Sequence, residues 1–321
     1  MKKFLITGFS GFVSRHFCEY LEHNGIRSLI KGIDVHNPDL KREDFKYIEF
    51  DFERIDLLDK HRIEDIIFKF QPEYILHLAS FSSVAFSWEE PILSFQNNTN
   101  IFLNLLEAIR RLNIDTRILS IGSSEEYGNV NEEDLPLTEE HPLRPVSPYA
   151  VARVSQELLS KIYSTGYSMD IVMTRSFNHI GPFQKEIFAL PSFVKQLVQI
   201  KKGLKKDELV TGDITIVRDF TDVRDVVAAY YLLLTEGEKG EVYNVCSGKG
   251  WSLKEIIDKI CDILEIKVHS KADAGLFRQN ENKIVIGSNE KITSRLKWKP
   301  KYSIKQSLND MIHYWETQIA I

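Results

Sequence analysis

Eleven residues near the N-terminus, Phe4–Ser14, constrain the fold of this chain more than any other stretch. Three apolar residues open the stretch and indicate a short buried strand, and from Val13 onward apolar side chains recur every four residues, which is helical spacing. Between strand and helix lies the pattern Gly8-x-x-Gly11-x-x-Ser14. Such a turn lets the backbone approach a pyrophosphate, whose charge the first amides of the helix stabilise. On its own, the pattern also fits an ordinary glycine-rich turn.

An acidic residue after the next strand tests this interpretation. Ser28–Ile33 reads as that strand, and Asp34 ends it, 26 residues after Gly8. A carboxylate at this place accepts hydrogen bonds from the adenosine ribose hydroxyls and repels a 2′-phosphate. The sequence therefore predicts NAD as the cofactor, rather than NADP.

Length and composition set wider limits. With 321 residues, 43% of them hydrophobic, the chain can form one large or two modest cores. A net charge of −5 with both signs intermixed gives no support for a nucleic-acid partner. Cys18, Cys246 and Cys261 lack metal-binding spacing, so we expect buried thiols in a reducing compartment and no metal site. Because no apolar run suits a signal peptide or a membrane span, we expect a cytoplasmic protein without a membrane partner.

Strands alternate with amphipathic helices through the first half of the chain. Tyr74–Ala79 and Arg117–Ile121 read as buried strands, and Phe95–Leu112 and Tyr149–Thr165 read as helices. This alternation predicts an α/β fold of the Rossmann type, with a doubly wound parallel sheet. We expect an NAD-binding domain over 1–175, with a returning segment near 223–245. A smaller C-terminal α/β substrate domain would span 176–321.

Polar side chains follow the strand at Arg117–Ile121. The stretch Ser123–Gly128 includes two hydroxyls, Ser123 and Ser124, and the carboxylate of Glu125. The carboxyl ends of strands in a doubly wound sheet face the ligand crevice, so these groups can contact a substrate. The alternative is a plain turn with solvated acids.

A tyrosine and an arginine share one helical face further along. Tyr149 and Arg153 are four residues apart. A nearby cation stabilises a phenolate and lowers a tyrosine pKa from about 10, which suits a general acid in alcohol–ketone interconversion. The alternative is a surface Tyr–Arg pair.

Taken together, these stretches resemble the nucleotide-sugar epimerase/dehydratase group of the extended short-chain dehydrogenase/reductases. The matching stretches are Thr7–Phe12, Asp56–Asp59, His77–Ser80, Asn98, Ser123–Ser124, Ser147–Ala150 and Asn178. Within the group, Arg175–Pro182 and Arg218–Asp225 are similar to GDP-4-keto-6-deoxy-mannose reductases. The stretch Gly122–Gly128 also fits GDP-mannose 4,6-dehydratases.

The resemblance implies a role for each matched residue. Tyr149 would be the acid/base at the sugar C4 oxygen, and Ser123 would form a hydrogen bond with that oxygen. Glu125 stands where a dehydratase has its base. The implied cofactor-binding residues are Gly8, Gly11, Phe12, Val13, Asp34, Asp56, Leu57, Leu78, Ala79, Tyr149 and Arg153. The implied substrate-binding residues are Ser124, Asn178, Arg218 and Arg278.

Two residues depart from the pattern of the group. Arg153 stands where the group has a lysine that binds the nicotinamide ribose. Arginine is longer and planar, so either the ribose contact becomes bidentate or the site is distorted and slow. We prefer the hypothesis of an unusually tight grip on the cofactor. Ser14 stands where the group has glycine, and we expect a small shift with no loss of the site.

The function implied is NAD(H)-dependent oxidoreduction at C4 of a GDP-linked sugar, in either direction. A 4,6-dehydratase and a C4 epimerase are the enzymatic alternatives, since both use the same C4 ketone. A non-catalytic nucleotide-sugar binding protein is the alternative of another class, motivated by Arg153 and Ser14. The group also commonly pairs helices such as Phe95–Leu112 and Tyr149–Thr165 into a four-helix bundle, which implies a homodimer.

Overall fold

A computed structural model describes residues 1–277 and 282–319. Its strands are β1 (Lys2–Thr7), β2 (Ser28–Asp34), β3 (Ile48–Arg54), β4 (Tyr74–His77), β5 (Arg117–Ser123), β6 (Asp170–Ser176), β7 (Asn178–Ile180), β8 (Glu208–Thr211), β9 (Val217–Asp222), β10 (Val242–Val245), β11 (Gly250–Ser252), β12 (His269–Ala272) and β13 (Ile284–Val285). Its α-helices are α1 (Phe12–His23), α2 (Lys60–Phe70), α3 (Val84–Glu89), α4 (Pro91–Phe95), α5 (Ile101–Leu112), α6 (Pro148–Gly166), α7 (Ala189–Lys201), α8 (Val223–Glu236), α9 (Leu253–Leu264), α10 (Glu290–Leu296) and α11 (Ile304–Gln318).

Seven parallel strands form the large sheet, in the order β10-β6-β5-β4-β1-β2-β3. Strand order reverses between β1 and β4, and in a sheet of this kind ligands bind in the crevice outside the strand ends at that reversal. This arrangement confirms the predicted Rossmann-type fold class. The strand β10 returns to the sheet from the second half of the chain and pairs with β6.

Apolar side chains cover both faces of this sheet. On one face, α1 and α8 pack through residues such as Phe17 and Leu233, and on the other α2, α5 and α6 pack through Phe102 and Ile63. Each fully buried side chain of this size stabilises the fold by about 1.5–3 kcal/mol. The sheet is therefore held as a rigid platform for the groups at its carboxyl ends.

A smaller unit follows the large sheet. Here β9 pairs with β7 and β13 in parallel and with β11 antiparallel, and β8 pairs with β12. The helices α7, α9 and α11 pack together over a third apolar core. The exact domain boundaries stay a prediction.

One predicted helix is interrupted. The periodicity over Phe95–Leu112 predicts a single α-helix, but residues Gln96–Asn100 form a π-helical turn between α4 and α5. The Asn98 side chain bonds both backbone groups of Phe81, at 3.0 and 3.1 Å, and so holds this turn against the loop after β4. In the described ranges, no helix combines the length and apolar composition needed to cross a membrane.

Candidate active site

The glycine turn lies at the point where strand order reverses. Gly8 has φ +71°, and a β-carbon there would lie 2.7 Å from the backbone nitrogen of Ala79, so only glycine fits. The Thr7 hydroxyl ties the ends of β1 and β4 together, since it accepts from the Ala79 N–H at 3.1 Å and lies 2.9 Å from His77 Nδ1. The turn therefore has the close backbone packing that a dinucleotide fold requires.

Helix α1 begins directly after this turn. Gly11 is its N-cap, in an extended conformation, and no side chain caps the helix. The first amides of the helix, including those of Phe12 and Val13, are consequently available to an anion. Ser14 is fully buried within the packed helix. These features fit the pyrophosphate of a dinucleotide cofactor.

Asp34 ends β2 beside the same turn. One carboxylate oxygen accepts from the Ser10 N–H at 3.0 Å and from the Ser10 hydroxyl at 2.6 Å, and the other accepts from the His36 N–H at 3.0 Å. A carboxylate has about four acceptor positions, so Asp34 can still accept a hydrogen bond from a ribose hydroxyl. The location fits the adenosine ribose of NAD.

The other predicted cofactor residues lie at the ends of neighbouring strands. Asp56 accepts from the Leu58 N–H at 2.9 Å in the turn after β3. The Leu57 side chain is 5% exposed and packs in the core, so only its backbone remains to face a ligand. Leu78 and Ala79 follow β4 and donate their N–H groups to Thr7.

Ser123 begins the turn that follows β5. Its hydroxyl accepts from the Glu125 N–H at 3.2 Å, and its own N–H donates to Glu126 Oε1 at 2.6 Å. Ser124 and Glu125 are partly exposed, as a substrate contact requires. The alternative of a plain turn with solvated acids is wrong for Glu126, whose carboxyl group is fully buried. Burial and the nearby Glu157 carboxylate raise the pKa of Glu126 well above its usual range.

Tyr149 and Arg153 form a buried pair on α6, and the alternative of a surface pair is wrong. Their exposed fractions are 6% and 5%. Arg153 Nε donates to the Tyr149 hydroxyl oxygen at 3.2 Å. Within the described ranges no acceptor takes the Tyr149 hydroxyl hydrogen in return. That hydrogen is therefore free to be donated to a ligand.

Arg153 holds its positive charge without a counter-ion among the described residues. Nη1 donates to the Ile121 carbonyl at 2.9 Å and to Gln156 Oε1 at 2.7 Å, and Nη2 donates to the Ser80 hydroxyl. All these acceptors are neutral, and no carboxylate of residues 1–277 or 282–319 pairs with Arg153. One Nη2 hydrogen remains for a ligand. A bidentate ribose contact would require one of the protein hydrogen bonds to break.

His77 is adjacent to this charge. Burial, and secondarily the positive charge of Arg153, lower the pKa of His77 to about 3. The imidazole is consequently neutral at physiological pH. It is a core histidine, as its place in a strand suggests.

Two of the predicted substrate residues lie on the smaller unit. Asn178 opens β7 and pairs in register with Phe220, and Arg218 precedes Phe220 by two positions on β9. Side chains two residues apart share a sheet face, so Asn178 and Arg218 lie on the same face. Arg278 lies outside the described residues.

Three residues of the site were missing from the sequence-based assignment. Ser80 follows β4, and the strand-end argument applied to Ser123 could have identified it. Gln156 is three residues after Arg153 and thus on its helical face. Nothing in the sequence signals the burial of Glu126.

A parallel sheet with a glycine turn at its strand reversal, and a buried tyrosine with a cation four residues later beside it, is typical of the extended short-chain dehydrogenase/reductases, although Arg153 replaces the lysine of that class. Residues 5–311 match the family described as GDP-mannose 4,6 dehydratase, and the chain belongs to this family.

Relatives of the chain act on several nucleotide sugars. It is 34% identical to the GDP-6-deoxy-D-mannose reductase of Pseudomonas aeruginosa, over 99% of this chain and 98% of the relative. The solved structure of RMD from Pseudomonas aeruginosa complexed with NADPH superposes with a TM-score of 0.85 at 33% identity, covering 99% of this chain and 100% of the other. A Thermus thermophilus UDP-glucose 4-epimerase complex with NAD gives a TM-score of 0.85 at 27% identity, with 98% of each chain covered.

Proposed function

We propose that this protein is an NAD(H)-dependent oxidoreductase acting at C4 of a GDP-linked sugar, of the GDP-4-keto-6-deoxy-mannose reductase type. The observation that carries the proposal is the Tyr149 hydroxyl, which accepts from Arg153 Nε at 3.2 Å and keeps its own hydrogen for a substrate oxygen. The similarity to the GDP-6-deoxy-D-mannose reductase over nearly the whole chain supports this choice of substrate.

The residues divide into three tasks. Gly8, Gly11 and the first amides of α1 would hold the pyrophosphate, and Asp34 the adenosine ribose. When bound, the reduced nicotinamide supplies a hydride to the sugar C4. Tyr149 donates the proton to the C4 oxygen, and the Ser123 hydroxyl forms a hydrogen bond with that oxygen.

Charge balance in this scheme depends on Arg153. Proton donation would leave a phenolate on Tyr149, and the Arg153 guanidinium in contact with its oxygen would stabilise the negative charge. Ser124, Asn178, Arg218 and Arg278 would bind the nucleotide side of the substrate. Arginine suits this task because its planar fork matches phosphate oxygens.

Absorbance of reduced nicotinamide tests the proposal. Protein mixed with NADH and GDP-4-keto-6-deoxy-mannose should consume both in equal amounts, and faster than with NADPH, because Asp34 repels a 2′-phosphate. Conversion of GDP-mannose to a keto sugar with no net change in NADH would instead favour a dehydratase with Glu125 as base. No hydride exchange with any nucleotide sugar would favour a binding protein.

We also propose a homodimer formed by α4, α5 and α6. Four exposed apolar side chains on α4 and α6 support it, with exposed fractions of 75% for Ile92, 44% for Val151, 50% for Leu158 and 58% for Ile162. Light scattering should give twice the chain mass of 37.2 kDa. Ile162→Glu should give the single-chain mass, and a single-chain mass for the unaltered protein would exclude the dimer.

We also propose a cytoplasmic location, and three free cysteines support it.

A further inference from the structure

Gln156 is a buried amide on α6 whose hydrogen-bonding groups are all engaged. It is 1% exposed. Its Nε2 donates to the Ser120 hydroxyl at 2.9 Å and to the Ile121 carbonyl at 3.1 Å, and its Oε1 accepts from Arg153 Nη1 at 2.7 Å. A flipped amide would place donors against the guanidinium, so the orientation is determined by its partners.

The amide connects Arg153 to the sheet. Ser120, on β5, also lies 3.1 Å from the Ser160 hydroxyl of α6. The guanidinium is thereby held on two sides, by Gln156 and the Ile121 carbonyl through Nη1 and by Ser80 through Nη2. With both ends of the plane fixed, Nε–H points at the Tyr149 oxygen. A buried polar network of this kind rigidifies only when its members are satisfied.

We propose that Gln156 is a positioning residue that orients the Arg153 guanidinium toward Tyr149 without neutralising it. The inference rests on the proposed function of Tyr149 as proton donor. An amide oxygen accepts from the guanidinium as a carboxylate would, but it carries no charge. The full positive charge of Arg153 therefore stabilises the phenolate formed on Tyr149.

A double-mutant cycle separates positioning from simple packing. Gln156→Met keeps the volume of the side chain and removes its hydrogen bonds. In the unaltered background it should lower kcat about 10- to 100-fold, as loss of a hydrogen bond to a charged group does. KM for the nucleotide sugar should change less than about twofold, since Gln156 does not touch the substrate.

The same substitution should have little effect in Arg153→Lys. A lysine ammonium is a rotatable point charge with no plane to orient, so kcat should fall less than about threefold. An equal fall in both backgrounds would mean that Gln156 acts through packing and would overturn the proposal.

Guanidinium NMR provides a readout that needs neither substrate nor cofactor. The Arg153 Nε–H signal, identified by its loss in Arg153→Lys, should exchange slowly with water and at least about tenfold faster in Gln156→Met, because the guanidinium then lacks one of the hydrogen bonds that hold its plane. Unchanged exchange in Gln156→Met would overturn the proposal. Absence of turnover with slow exchange in the unaltered protein would contradict only the proposed function.

Discussion

Replacing Tyr149 by phenylalanine should lower the rate of hydride transfer to a 4-keto nucleotide sugar by about 10²- to 10⁴-fold, the usual contribution of a positioned general acid. The substitution removes one oxygen and leaves the ring in its buried position. Arg153 Nε then loses its acceptor, but Ile121, Gln156 and Ser80 still hold the guanidinium. We therefore expect the site to keep its shape while it loses the proton donor.

Two measurements on the same samples separate chemistry from binding. Single-turnover absorbance of reduced nicotinamide reports the chemical step, and calorimetry reports the affinity for the nucleotide sugar, which should change little. Tyr163→Phe is the matched control, because Tyr163 lies on the same helix and its hydroxyl bonds Glu107 at 2.7 Å. The control should keep full activity. Full activity in Tyr149→Phe would remove Tyr149 from the proposed role.

Local sequence patterns were sufficient to predict the cofactor half of the fold. The requirement for Gly8 follows from the backbone itself, since the positive φ and the approach of Ala79 exclude any side chain. Asp34 lies beside the turn because β1 and β2 are adjacent parallel strands whose carboxyl ends meet at one edge. Features that are set by the local backbone, or by the pairing of adjacent strands, can therefore be predicted from the sequence.

Tertiary contacts explain what the sequence could not predict. The edge strand β3 alternates buried and exposed residues, and the exposed Asp51 bonds Lys31 of β2 at 2.5 Å. This contact joins residues 20 positions apart, so it appears only once the two strands are paired. The π-helical turn likewise depends on the contact between Asn98 and Phe81, which are 17 residues apart.

The same limit applies to the two buried arginines of the site region. Arg153 and Arg175 are 5% and 3% exposed. Arg175 forms a two-point ion pair with Glu157, at 2.8 and 2.9 Å, whereas Arg153 has only neutral acceptors among the described residues. Sequence spacing does not distinguish them. In the first arrangement the positive charge of the arginine is balanced by a carboxylate, and in the second it is not balanced by any carboxylate of the described residues.

Arg175→Leu should lower the free energy of unfolding by up to about 3–5 kcal/mol, the cost of breaking a buried ion pair by removing one partner. The substitution would leave the Glu157 carboxylate, which is 3% exposed, next to the fully buried Glu126 and with only the half-exposed Lys161 ammonium, at 2.6 Å, to balance its charge. It would also remove the bond from Arg175 Nη1 to the Glu139 carbonyl, at 2.9 Å. Urea unfolding followed by circular dichroism measures the loss. Arg295→Leu is the control, because the Arg295–Glu238 pair is exposed and should contribute less than about 1 kcal/mol.

The effect of Arg175→Leu on stability should also change with pH. Burial alone would raise the pKa of Glu157, but the bonds and charges of Arg175 and Lys161 lower it to about 2. A carboxyl group with a lowered pKa stabilises the fold above its unfolded pKa of about 4.3, and this stability is lost as the pH falls toward the folded value. Without Arg175, the pKa of Glu157 should rise instead. The loss of unfolding free energy caused by Arg175→Leu should then be largest near neutral pH. It should be smaller at about pH 4.5, where Glu157 of the variant takes up a proton. A deficit that does not change with pH, or one below about 1 kcal/mol, would show that the ion pair does not hold this part of the core.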